Sequence, residues 1–189
     1  MKNRYSIAIY PSTDVMDQVK DCKDLLTKAI GWFHSRHSNA HITLIEFEAN
    51  REELFIIRAF LKDFCATKSP FHISLDGVKN YLNGALFIAP DKESKITTKG
   101  FMQKLQKDFP LKSIFASRDP HMSIARQLDK QNIQIASYLL QDVKAEFDCN
   151  SIVLRQFSET IQQFNVIEEY FLNGKEDFPY KGGQLSLGL

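Results

Sequence analysis

No apolar run in this chain of 189 residues approaches the length of about 20 needed to span a bilayer. The N-terminal candidate, Tyr5 to Tyr10, meets Pro11 and Asp14 almost at once, so neither a membrane anchor nor a secretory leader is expected. Cysteine is scarce. Cys22, Cys65 and Cys149 are odd in number, far apart and without a C-x-x-C pair, which argues against a disulfide framework or zinc knuckle and for reduced thiols filling a cytoplasmic core. Net charge is almost absent too: 24 Lys and Arg stand against 23 Asp and Glu, so there is no global positive field of the kind that coats long nucleic acids. Any affinity for phosphate must be local. No Pro- or Ser-rich linker divides the chain, and with 43% hydrophobic and 25% charged residues it can bury a core without staples.

Four segments carry helical period. Val15, Val19, Cys22, Leu26 and Ala29 form one stripe, with Asp14 and Asp17 in the first turn and Gly31 just past the end. A second helix is expected from about Arg51 to Ala66, where Asn50 followed by Glu53 makes a capping box and Leu54, Ile57, Leu61 and Phe64 face inward. The third runs from about Lys95 to Asp108, weakened by Gly100, and the fourth from about Lys130 to Leu140. Strands are expected at Arg4 to Tyr10, His41 to Phe47, Phe71 to Val78, Ala85 to Ala89, His121 to Ala125, Phe147 to Phe157 and Gln163 to Phe171. His41 follows Pro11 by 30 residues and His121 follows Pro90 by 31, each time across a helix. The order strand, helix, His-strand, helix, strand, strand is thus written twice, at an offset of about 80 residues. Two copies are too few for a solenoid, so the expected fold is α+β: one domain over residues 1–189, built as two pseudo-symmetric lobes of mixed or antiparallel sheet with flanking helices, facing each other across a central cleft. Residues 175–189, rich in glycine, are expected to be irregular.

In a strand, residues i and i+2 share a face, so His41 with Thr43, and His121 with Ser123, each present an imidazole beside a hydroxyl. An imidazole exchanges protons near neutral pH and a hydroxyl can donate to a phosphoryl oxygen. One pair on either side of a cleft suits in-line attack at phosphorus, with one group deprotonating the incoming oxygen and the other protonating the leaving one. About half of one H-x-[ST] match is expected by chance in this composition, so a lone match says little. There are three. The third, His72-Ile73-Ser74, lies on a strand after the second helix, outside the equivalent positions of the duplication, and is set aside.

Ala40-His41-Ile42-Thr43-Leu44 and Pro120-His121-Met122-Ser123-Ile124 resemble the paired H-h-[TS]-h signatures of the two-histidine phosphoesterase superfamily, which includes bacterial 2′-5′ RNA ligases and cyclic phosphodiesterases. The resemblance covers the order of elements from about Arg4 to Leu172. It implies two lobes about a pseudo-twofold axis, no metal or other cofactor, and as partner a small phosphodiester, nucleotide or RNA terminus carrying a 2′,3′-cyclic phosphate or 2′-5′ linkage. His41 and His121 become the acid–base pair and Thr43 and Ser123 the phosphate clamps. Ser123, where Thr is commoner, keeps the hydroxyl. Hydrolysis and its reversal as ligation both stay open, and a cytoplasmic monomer with no obligate protein partner is expected.

Other residues compete for roles. Trp32 precedes His41 by nine residues and could stack on a base or simply cap the core. Arg36, Arg126 and Arg155 are the cations placed nearest the phosphate, Arg155 best supported by the resemblance. Strict alternation would turn Arg126 away from His121 and Ser123, which makes a surface ion pair its plainer reading. His34, His37 and His41 spell H-x2-H-x3-H, a zinc-like spacing, but Gly31 has ended the helix that such spacing needs. The alternatives to an enzyme of the two-histidine class are therefore a metal hydrolase on those three histidines and a non-catalytic module that binds RNA ends or nucleotides.

Overall fold

The computed structural model describes residues 1–174, so the expectation for 175–189 lies outside the described residues. Its elements are β1 (Asn3–Ile9), α1 (Thr13–Ile30), β2 (Ile42–Ala49), α2 (Arg51–Ala66), β3 (Phe71–Asn80), β4 (Leu86–Pro90), α3 (Lys92–Asp108), β5 (Ser113–Ala116), β6 (Met122–Ala125), α4 (Lys130–Leu139), β7 (Lys144–Cys149), β8 (Ser151–Ser158) and β9 (Gln163–Phe171). They form two antiparallel sheets, of order β5-β2-β1-β8-β9 and β6-β4-β3-β7. Helices α1, α3 and α4 pack on the second sheet and α2 on strands β2 and β9 of the first. One continuous apolar cluster runs through both, from Ile7, Ile42 and Phe47 to Ile88, Ile124 and Phe147. No helix of the described residues is long and apolar enough to cross a membrane.

The capping box forms as read: Asn50 Oδ1 accepts from the Glu53 amide at 2.9 Å and Glu53 Oε2 from the Asn50 amide at 2.8 Å. Helix α3 starts at Lys92, earlier than the apolar pattern indicates, because Asp91 caps it through the Ser94 amide. On α1 the inward stripe holds Lys23, and Ala29 is exposed.

Each sheet draws strands from both halves of the duplication. Strand β3 of the first half pairs with β4 and β7, while β5, β8 and β9 of the second half complete the sheet of β1 and β2. The stretch Phe147 to Phe157, read as one strand, is two: it breaks at Asn150, where the chain leaves one sheet and enters the other. Both pieces are strand-like in composition and no Gly or Pro separates them, so the turn formers Asp148, Asn150 and Ser151 are the one mark of the crossing. Strand β5 is four residues at a sheet edge, too short to carry a period.

Gly84 holds the start of β4 against the segment that follows β6. Its φ is +80°, and an added Cβ would lie 2.3 Å from the Leu128 carbonyl oxygen. Gly100, mid-helix in α3, has nothing within 4 Å of that position. Gly84→Ala should therefore cost about 2 kcal/mol or more, and Gly100→Ala should stabilise by about 0.5 to 1 kcal/mol. Urea unfolding of the two variants checks both, and equal effects would contradict the assignment.

Candidate active site

The two histidine strands are built alike. In β2, Ile42 and Thr43 pair with Ile9 and Ala8, Leu44 has no partner, and Ile45 resumes opposite Ile7. In β6, Met122 and Ser123 pair with Ile88 and Phe87, Ile124 has no partner, and Ala125 resumes opposite Leu86. Each motif thus ends in a bulge one residue after its hydroxyl. The bulge puts two successive side chains into the core, Leu44 with Ile45 and Ile124 with Ala125. It also corrects the reading of Arg126: the extra residue re-phases the strand and returns Arg126 to the cleft side, where it makes no ion pair among the described residues.

One cleft of about 1040 Å³ is lined by His41, Thr43, His121 and Ser123, and also by Trp32, Arg36, Arg126 and Arg155. All eight residues singled out from the sequence are thereby brought together. Each histidine lies just ahead of its strand, and its Nδ1–H donates to the carbonyl two residues upstream: His41 to Asn39 at 2.7 Å, His121 to Asp119 at 2.8 Å. A carbonyl can only accept, so Nδ1 carries the hydrogen and Nε2 is left as the exchangeable nitrogen in both rings. The surroundings then differ. Tyr10 stacks on His41 at 6.1 Å between centroids, whereas Tyr81 and Phe87 enclose His121 at 5.6 and 5.2 Å. Behind His121, the Asp119 carboxylate takes the Tyr81 hydroxyl at 2.9 Å and the Lys95 ammonium at 2.6 Å. His41 has cations for neighbours. Burial, then the guanidinium of Arg155, push its pKa down to about 3 against the opposing pull of the Asn39 carbonyl, with Arg126 and Lys23 adding to the depression.

Arg155 is 2% exposed and has no carboxylate partner among the described residues. Its Nη2 donates to Ser6 Oγ at 2.7 Å, its Nε is buried without a partner, and the guanidinium lies over the rings of Tyr10 and Phe164. A buried guanidinium left without an anion is costly, and this one lines the cleft beside His41. Arg36 is held by Asp24 at 3.3 Å, and Arg4, also in the cleft, by Glu46. Trp32 is 66% exposed at the rim with its ring edge-to-face against His34, so it does not cap the core.

His34 and His37 are in the loop before β2, as expected of a solvated loop, and among the described residues no three His, Cys, Asp or Glu side chains gather into a set able to hold a metal ion. His72 lies outside the cleft, its Nδ1 on Asp148 Oδ1 at 2.9 Å directly across the β3–β7 pair. The three cysteines are buried thiols, with burial pushing Cys65 up to about 12. Sequence reasoning missed Tyr10, Tyr81 and the buried Lys23. For Lys23 there was a legible signal, a lysine on the apolar stripe between Val19 and Leu26.

Residues 11–160 match the profile of the 2'-5' RNA ligase superfamily. The chain belongs to that family. It is a two-histidine phosphoesterase by descent, with the α+β fold of that group, and its similarity to solved structures is one of fold at low identity. Escherichia coli LigT in apo form superposes with a TM-score of 0.61 at 11% identity, over 90% of this chain and 97% of that one. TT0787 of Thermus thermophilus gives 0.58 at 16% identity, over 91% and 99%. Usb1 of Kluyveromyces marxianus gives 0.52 at 15% identity, over 87% and 97%. No curated protein matches in sequence.

The ring geometry is directly measurable. In long-range ¹H–¹⁵N spectra both His41 and His121 should show a protonated Nδ1 when neutral, and His41 should stay neutral down to about pH 4, since its depressed pKa leaves the neutral form dominant above about 3. A His41 ring that titrates near neutrality would contradict the described cation-rich surroundings.

Proposed function

We propose that the chain cleaves 2′,3′-cyclic or 2′-5′ phosphodiesters of nucleotides or RNA ends by metal-independent acid–base catalysis, with His41 as base and His121 as acid. The observation that carries this reading is that one cleft holds two imidazoles locked in the same tautomer, each beside a hydroxyl, together with a buried arginine that has no counter-ion among the described residues. His41 Nε2, kept unprotonated by the cations around it, accepts the proton of the attacking water as its oxygen bonds to phosphorus. His121 Nε2–H delivers a proton to the departing ribose oxygen as its bond to phosphorus breaks. Thr43 and Ser123 donate to the non-bridging oxygens, whose charge Arg155 offsets. With the 5′-hydroxyl of a second nucleotide in place of water, the same transfers open the cyclic phosphate and leave a 2′-5′ linkage: His41 takes the hydroxyl proton and His121 protonates the departing 3′-oxygen, which is the ligase direction. Crystal structures of E. coli LigT complexed with 3'-AMP, phosphate, ATP and NADP+ make nucleotides the ligands to try first. Against a binding module stands the matched pair of fixed tautomers, for which binding alone gives no reason.

The test is turnover of 2′,3′-cyclic nucleotides and 2′-5′ dinucleotides in chelator. His41→Ala and His121→Ala should each lose about 10² to 10⁴ in rate with the fold intact, and Thr43→Ala or Ser123→Ala should cost on the order of 2 to 4 kcal/mol of transition-state binding. His72→Ala should remain near wild type. A loss under about tenfold in either histidine variant, at normal melting temperature, would remove the assignment.

The pH profile discriminates further. A base and an acid of ordinary pKa give a bell, but a base depressed to about 3 is active at all higher pH, so its limb moves out of the working range. The kcat/KM profile in chelator should therefore stay flat on the acid side down to about pH 4. An acid limb near neutrality would reverse the assignment of base and acid.

A further inference from the structure

Two buried or half-buried polar side chains outside the cleft lining sit on the corresponding helices of the duplication, about one turn apart in register. Lys23 lies on α1, is 2% exposed, and has no carboxylate partner among the described residues. Its Nζ donates to the carbonyls of Ser35 at 3.1 Å and Ser38 at 2.6 Å and to Ser38 Oγ at 3.1 Å, all in the loop ahead of His41. Gln106 lies on α3, and its Nε2 donates to the carbonyl of Ser117, ahead of His121, at 2.7 Å.

Both loops then reach across to the other half. Ser35 Oγ donates to the carbonyl of Ile124 at 3.2 Å, and the Arg126 amide to the carbonyl of His34 at 3.1 Å. Reciprocally, the Ser117 amide and Gln106 Nε2 both donate to the carbonyl of Leu44, at 3.1 and 2.9 Å, and β5 pairs along β2. Leu44 and Ile124 are the two bulged residues, without ladder partners in β1 and β4. Each bulge is therefore gripped by the segment that leads to the other histidine.

We propose that Lys23 and Gln106 are positioning residues that pin these two crossed loops and so hold the two histidine strands at the separation the reaction needs. This inference rests on the two-histidine reading for its catalytic consequence and on hydrogen bonds alone for its geometry. A buried ammonium spent on three acceptors is a costly way to fix a loop, and an amide does the same work in the other half, so the shared property is the donor reaching the loop and not the charge. Misplacement of reacting groups by about 1 Å can cost 10²-fold in rate without loss of binding.

The experiment uses the full chain with Lys23→Met, Gln106→Met, the double variant, and Ser35→Ala, which removes only the hydroxyl that reaches Ile124. With 2′,3′-cyclic AMP, either Met variant should lower kcat about tenfold or more with KM changed less than about threefold, and the double variant should fall short of the product because both pins fix one alignment. Backbone amide shifts supply a readout that a local structural role would not move. Lys23→Met should perturb Ile124 to Arg126, to which Lys23 makes no hydrogen bond, and Gln106→Met should perturb His41 and Thr43, beyond the Leu44 carbonyl that it bonds directly; Ser35→Ala, which removes the bond to Ile124 itself, marks where the first of these shifts falls. Perturbations confined to the mutated half, or kcat within about threefold in folded Met variants, would overturn the proposal. Should a Met variant fail to fold, Lys23→Gln and Gln106→Ala are read by the same shift pattern. That pattern needs no substrate: a wild type that turns over no cyclic phosphodiester defeats the functional reading alone, and the crossed shifts still settle the clasp.

Discussion

The site depends on one short hydrogen bond made twice, from an imidazole Nδ1–H to the carbonyl two residues before it in the chain. A histidine at a strand end is otherwise free to rotate about two bonds and to exchange tautomers, and either freedom would scatter Nε2 over several ångströms. The carbonyl removes both at once, because it accepts and never donates. The bond needs a fixed backbone just ahead of each strand, and buried Ala40 and Pro120 beside the histidines supply it. What the rest of the fold adds is relative placement: one histidine strand in each sheet, with one cleft between them.

That placement carries an electrostatic cost. Two cations, Lys23 and Arg155, are almost wholly removed from water without carboxylate partners among the described residues, and Arg126 lines the same cleft unpaired. Taking a cation out of water costs several kcal/mol unless its donors are satisfied, and only Lys23 has its ammonium directed at three acceptors. Arg155 keeps an unpartnered Nε. An anion entering the cleft relieves part of that cost, so binding and folding stability are linked here. The same cations make two chemically identical rings electrostatically unlike, since His41 sits among positive charges and His121 beside a carboxylate already held by Tyr81 and Lys95.

Much of this was legible in the amino-acid order. The two H-x-[ST] motifs at equivalent places in a duplication named four cleft residues, and helix starts such as Asn50 with Glu53 followed from capping chemistry. Trp32, Arg36 and Arg155 followed from nearness in sequence or family pattern. The failures share a cause: they concern pairing between strands, which a single strand does not encode. The bulges at Leu44 and Ile124 interrupt no apolar pattern, so strict alternation sent Arg126 to the wrong face. The change of sheet at Asn150 is marked only by the turn formers Asp148, Asn150 and Ser151 inside an otherwise strand-like run, with no Gly or Pro, and β5 is too short for periodicity. Lys23 is the instructive omission, because a lysine on an apolar stripe is visible without any structure and was passed over.

The interleaving of strands has a consequence for the order of events during synthesis. Strand β1 is central in its sheet, and its neighbour β8 lies at the far end of the chain, Tyr5 pairing with Gln156. At roughly 5 to 20 residues per second, β1 waits on the order of ten seconds after emerging before that partner exists. For this interval one edge of a strand whose last five residues are all buried in the finished protein stands open, a template for pairing with another nascent chain. Lys2 and Arg4 precede that apolar stretch and Pro11 follows it, the kind of flanking residues that discourage such pairing. A ribosome-bound chain thus relies on three flanking residues to discourage such pairing at a stage when the cleft between the sheets does not yet exist.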